Sequence, residues 1–204
     1  MGFFERNRAA LVQRGLDPAR LPPGQYFTER FPVLHVGDVP AVEPTGWDLR
    51  VFGSVRAEQH LTLAQLRDAL PAVEVTTDIH CVTKWSKLDT HWTGVRIRDV
   101  LELAGVDAGA THCLQHAEHG YTTNTPLAPL LADDALLAWA YGGEPLAPEH
   151  GGPVRTVVPS LYFWKSAKWV RGLELLDHDE PGFWEGNGYH NDGDPWREQR
   201  YWGD

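Results

Sequence analysis

His150-Gly151-Gly152-Pro153-Val154-Arg155-Thr156-Val157-Val158-Pro159 sets a guanidinium inside an apolar run, and Lys165-Ser166-Ala167-Lys168-Trp169 follows closely. The first stretch reads as a strand and the second as the approach to another, with turn residues between them. Strand alternation turns Arg155 inward, and arginine is almost never buried without a partner. Its planar fork suits phosphate, while an internal ion pair with one of the 28 acidic residues is the competing assignment. Lys165, Ser166 and Lys168 offer ammonium, hydroxyl and backbone N–H donors to a phosphate or a ring oxygen; a solvated face is the alternative.

The 204 residues suffice for a single domain with a hydrophobic core, and the formal net charge of -10 argues against nucleic acid or an anionic membrane as partner. Against that background a basic cluster calls for an anionic ligand. No apolar run approaches the roughly 20 residues that span a bilayer. Met1-Gly2-Phe3-Phe4-Glu5-Arg6 lacks the features of a secretion signal, so a cytoplasmic location is expected. The two cysteines, Cys81 and Cys113, are then expected as free thiols.

Residues 1–30 read as an arm with a short helical pattern ending near Gly15 and a Pro-rich stretch after it. Strand periodicity covers 47–55. Leu63, Leu66 and Leu70 follow Thr62 at helical spacing, with Pro71 as a stop. Val73–His80 is rich in β-branched residues and delivers Cys81 at its end, before an expected loop, Val82–Lys87. A second helix is expected over 95–104, and further strands over 111–117, 136–141, 154–158 and 170–176. The tail, 177–204, is aromatic and Gly-rich. The pattern predicts one α+β domain, richer in strand than in helix.

Cys81 at a strand-to-loop junction is well placed for chemistry. Lys84 and Lys87 would favour its thiolate, the form that binds metal. With no CxxC or HxxxH nearby, a structural zinc site is disfavoured, whereas metal ligand and nucleophile both stay open, since ten histidines are available to activate it. Tyr121 lies in a polar, turn-forming stretch and could donate to a small oxyanion; a half-buried structural tyrosine is the alternative. His35 is ambiguous taken singly. His190, Asp192 and Asp194 in the tail have weak metal-ligand spacing, and aromatic capping of the surface is the expected role there.

Together these segments resemble, over about residues 26–176, the molybdopterin-binding catalytic domain of the sulfite oxidase superfamily. His-Gly-Gly-Pro-Val-Arg followed by Ser-Ala-Lys is the most specific element. The resemblance implies a mixed-sheet, strand-rich α+β fold and a molybdenum–molybdopterin cofactor. Its pterin and phosphate would be held by His150, Arg155, Ser166, Ala167 and Lys168, with Phe31 and His35 on an N-terminal cofactor loop. It implies Cys81 as the metal ligand beside two pterin sulfurs, a soft donor set suited to such a metal, and Tyr121 as the active-site tyrosine.

One departure stands out. Sulfite oxidases follow the cysteine with an Asn-Arg-Arg run that builds a positive pocket, and here Val82-Thr83-Lys84-Trp85 stands in its place. Lys84 and Lys87 are the candidates to replace that charge. No haem domain fits this length, so the resemblance implies a separate electron-transfer partner. The expectation is two-electron oxygen-atom transfer on a small sulfur oxyanion or sulfoxide. A non-catalytic molybdopterin-binding or carrier protein is the alternative, and a cysteine hydrolase a third.

Overall fold

The computed structural model describes residues 2–204, apart from the side chains of Phe3 and Phe4. Helix α1 (Phe3–Gln13) and strand β1 (Tyr26–Phe27) belong to the arm, which is clamped down: Arg20 bridges to Asp78 at 2.5 Å and Asp89 at 2.6 Å. Strands β2 (Asp48–Gly53) and β3 (Gln59–Thr62) pair antiparallel. Thr62 then caps α2 (Leu63–Ala69) reciprocally with Gln65, leaving neither end of that exchange unsatisfied.

Strands β4 (Val73–His80) and β5 (Trp85–Arg96) form a hairpin, and α3 (Ile97–Ala104) follows directly. Gly105 ends α3 with φ 67, a left-handed conformation that favours glycine. The chain continues through β6 (His112–Ala117), β7 (Thr122–Pro126), α4 (Leu127–Leu130), β8 (Leu136–Tyr141), β9 (Glu144–Pro145), β10 (Arg155–Val157), β11 (Val170–Leu176) and α5 (Phe183–Gly186).

Two mixed sheets result. One runs β1-β5-β8-β10, with β4 on β5 and β9 on β8; the other runs β3-β2-β11-β6-β7. The pairs β1–β5 and β2–β11 are parallel and the others antiparallel. The expected α+β, strand-rich architecture is the one observed. Aliphatic side chains of β2, α2, α3 and β11, among them Leu49, Leu66, Leu101 and Leu173, form one core. A second, aromatic cluster surrounds Cys81 with Trp85, Trp92, Tyr162, Phe163 and Trp164. No helix among the described residues is long and apolar enough to cross a membrane.

Two local expectations are corrected. The segment from Trp85 to Lys87 is the start of a twelve-residue strand, and Val95 and Arg96 end that strand instead of opening a helix. Its period is masked because Asp89 adopts φ 53 and the β4–β5 register shifts between Thr77 and Ile79. The stretch after Tyr121 is also a strand, β7. Its central residues, Thr123, Asn124 and Thr125, are polar yet buried, each bound to an interior group, so hydrophobic alternation is absent.

Candidate active site

Cys81 leaves β4 into a tight turn rather than an open loop. Its carbonyl accepts from Lys84 N at 2.9 Å, its N–H donates to Trp85 O at 2.8 Å, and Lys84 takes φ 75 to re-enter β5. Gln25 from the arm is fully buried and donates Nε2 to the same Cys81 carbonyl at 3.1 Å. Burial pushes the Cys81 thiol up, while the Thr83 hydroxyl, 3.2 Å from Sγ, and the charge of Lys168 pull it down. Lys84 and Lys87 do not supply that charge: Lys84 is exposed and Lys87 Nζ is taken by Glu29 O at 2.5 Å.

Arg155 is 1 % exposed, and its guanidinium donates to His150 O (2.8 Å), Ser166 O (3.0 Å) and Thr156 O (3.1 Å). The group lies 4.1 Å over the Phe163 ring, and no carboxylate among the described residues pairs with it. Removing an ion from water costs several kcal/mol even after relaxation, and carbonyl dipoles recover only part of that. Burial accordingly drags the guanidinium down to about 9. An anion bound in the adjoining cavity would supply the missing counter-charge. The internal carboxylate considered for Arg155 belongs instead to Lys165, whose Nζ meets Glu185 Oε1 at 2.7 Å with both side chains wholly buried.

The tight Gly151-Gly152 bend brings Lys168 beside Arg155. Gly151 has φ 106, and a Cβ on Gly152 would sit 2.1 Å from Leu146 O. Lys168 Nζ donates to Glu149 O at 2.6 Å, and burial, then Arg155, pull it down to about 7. Without an anion, the unfolded chain holds this proton up to the ordinary lysine value of 10.5 and the folded chain releases it near 7. The stability of ligand-free protein therefore rises with pH between those values. Anion binding runs the other way. Sulfate, whose charge is constant in this range, is expected to bind less tightly to cofactor-depleted protein as pH rises through 7. Calorimetric titration measures this, and Lys168→Met is expected to remove the dependence.

Cys81, Arg155, Ser166, Lys168, Tyr121, Phe31 and His35 all line one cavity of about 470 Å³. His150 sits behind Phe31, their rings stacked at 3.9 Å, with a buried Nδ1 that has no partner among the described residues. Ser166 Oγ accepts from Val158 N at 2.9 Å. Ala167 is not among the lining residues: it is buried, its carbonyl taken by Thr156 N and its N–H by Gln115. Tyr121 donates its hydroxyl to Trp164 O at 2.9 Å. The resemblance had placed Ala167 at the pterin and Tyr121 at the substrate; the first is packed away and the second has its proton committed.

The tail supplies a wall that sequence reasoning missed. Phe183, Trp184 and Tyr189 line the cavity, whereas surface capping was expected of them. Tyr189 meets Trp184 at 4.8 Å and Trp164 at 5.2 Å between ring centroids, and its hydroxyl is uncommitted among the described residues. It lies close enough to Cys81 to feel a charge there. His190 and Asp194 instead accept turn hydrogen bonds from Asp192 N and Trp196 N. Among the described residues no group of three or more His, Cys, Asp or Glu could hold a metal ion.

Residues 36–184 match the family described as oxidoreductase molybdopterin binding domain. The chain belongs to that family. Membership implies a molybdenum–molybdopterin cofactor, and the cavity fits one: a thiol, an uncompensated buried guanidinium, a second cation and aromatic faces for a flat ring converge there. This molybdopterin oxidoreductase is 54% identical over 183 residues to the uncharacterized oxidoreductase YuiH of Bacillus subtilis, covering 89% of this chain and 92% of that one. It is 31% identical to sulfite oxidase of Gallus gallus, covering 82% of this chain but only 44% of the chicken protein. Among solved structures, the sulfane dehydrogenase SoxCD from Paracoccus pantotrophus superposes with a TM-score of 0.65 at 21% identity, over 81% of this chain and 46% of that one, which shows a shared fold.

Proposed function

We propose that this molybdopterin oxidoreductase transfers an oxygen atom to or from a small sulfur compound in a two-electron reaction, and that a neutral sulfoxide suits its cavity better than an oxyanion. When bound, the cofactor supplies the two-electron chemistry. Cys81 is the protein's ligand to the metal. Arg155 and Lys168 hold the phosphate, Ser166 and His150 keep the strand around it in place, and Phe31 with His35 closes over the pterin from the arm side.

Tyr189 orients substrate by donating its free hydroxyl to the substrate oxygen, and Tyr121 holds the Trp164 wall. In the reductive direction the S–O bond breaks, two electrons arrive from a separate partner, and the oxygen leaves as water with two protons. The observation that carries the reading is the convergence of thiol, guanidinium and ammonium in one aromatic cavity. The preference for a neutral substrate rests on charge: both cavity cations are assigned to the cofactor, and neither Lys84 nor Lys87 lines the cavity.

The test is turnover of the metal-loaded protein in both directions, sulfoxide reduction with a reduced viologen and sulfite oxidation with ferricyanide. Sulfoxide turnover with a higher kcat/KM than sulfite is expected. Faster sulfite oxidation would reverse the substrate preference, and silence in both assays would discard the sulfur chemistry.

A further inference from the structure

The turn that presents Cys81 also sets a hydroxyl against its sulfur. Thr83 Oγ1 donates to Cys81 Sγ at 3.2 Å, and the N–H groups of Thr83 and Val82 also favour charge on that sulfur. The pairing is built into the backbone. Bonds from Lys84 N to Cys81 O (2.9 Å) and from Cys81 N to Trp85 O (2.8 Å) fix both ends of the turn, and buried Gln25 adds a third at the Cys81 carbonyl. Thr83 itself lines the cavity.

We propose that Thr83 sets the redox poise of the metal centre by donating its hydroxyl hydrogen bond to the Cys81 sulfur. The inference rests on the reading of Cys81 as metal ligand. A donor on a ligating thiolate draws electron density away from it, which stabilises the more electron-rich, reduced centre and raises the potential. The bond is charge-assisted and so among the stronger kinds. Its loss is expected to shift the reduction equilibrium by about tenfold, or about 59 mV for a one-electron couple. The sulfur lone pairs rise in energy at the same time, so sulfur-to-metal charge-transfer absorption moves to longer wavelength.

The experiment is potentiometric titration with optical spectra of the metal-loaded full chain carrying Thr83→Val or Thr83→Ser, after metal content has been measured. Thr83→Val is expected to keep its metal, lower the potential and red-shift the band, and Thr83→Ser to restore both. Full metal content with an unchanged potential in Thr83→Val overturns the role of Thr83 and leaves the Cys81 assignment standing. A sulfur-to-metal charge-transfer spectrum and a potential unchanged in Cys81→Ser overturn the assignment beneath it. Should Thr83→Val fail to load metal, Thr83→Ala takes its place: a potential below that of Thr83→Ser supports the proposal, and equal potentials refute it.

Discussion

Cys81→Ser is expected to abolish turnover while leaving the pterin and its metal in place. Serine is close in size and keeps the turn, because the bonds from Gln25, Lys84 and Trp85 all engage the backbone of residue 81. It replaces a soft sulfur donor with a hard hydroxyl that stays protonated near neutrality, so the metal loses the one thiolate the protein supplies. The pterin's phosphate would be gripped elsewhere, by Arg155 on β10 and Lys168 in the turn before β11, which this substitution does not touch. Elemental analysis and the fluorescence of pterin released by acid check that both remain. A variant matching wild type in turnover would remove Cys81 from the chemistry.

The largest stability effect is expected from Lys165→Met. Glu185 is wholly buried, and its Oε1 receives Lys165 Nζ (2.7 Å), Trp164 Nε1 (2.7 Å) and Thr123 Oγ1 (3.1 Å). Deleting the ammonium strands a carboxylate in the interior, a change that costs about 3–5 kcal/mol for buried pairs. Removing both charges with Lys165→Met and Glu185→Leu is expected to recover much of the loss, because two apolar groups need no solvation. Denaturant titration of the wild type and the two variants reads this directly. A loss below about 1 kcal/mol in the single variant would place the pair in the weak range of exposed ion pairs.

The same pair explains what could and could not be read beforehand. Cys81 was legible because β-branched residues led straight to it, and Arg155 because a cation inside an apolar run demands an explanation. The β5 strand was not, since Asp89 and the register shift break its alternation and Lys84, Lys87 and Asp89 give it the composition of a loop. Lys165 and Lys168 looked equivalent three residues apart, yet one faces Glu185 and the other the cavity. Nothing local separates them, because the difference comes from a carboxylate twenty residues on. Phe183, Trp184 and Tyr189 became cavity walls for that same reason: the ion pair seats their segment over the site. Tyr121 drew attention as the phenol nearest a recognisable pattern, while the uncommitted hydroxyl lay in the tail.

One wall of the cavity is made by residues that leave the ribosome after β11. A nascent chain ending at Leu176 would already carry Cys81, Arg155 and Lys168 but stand open on the side of Phe183, Trp184 and Tyr189. The Glu185–Lys165 contact is thus what ties the last-synthesised wall to the body of the site.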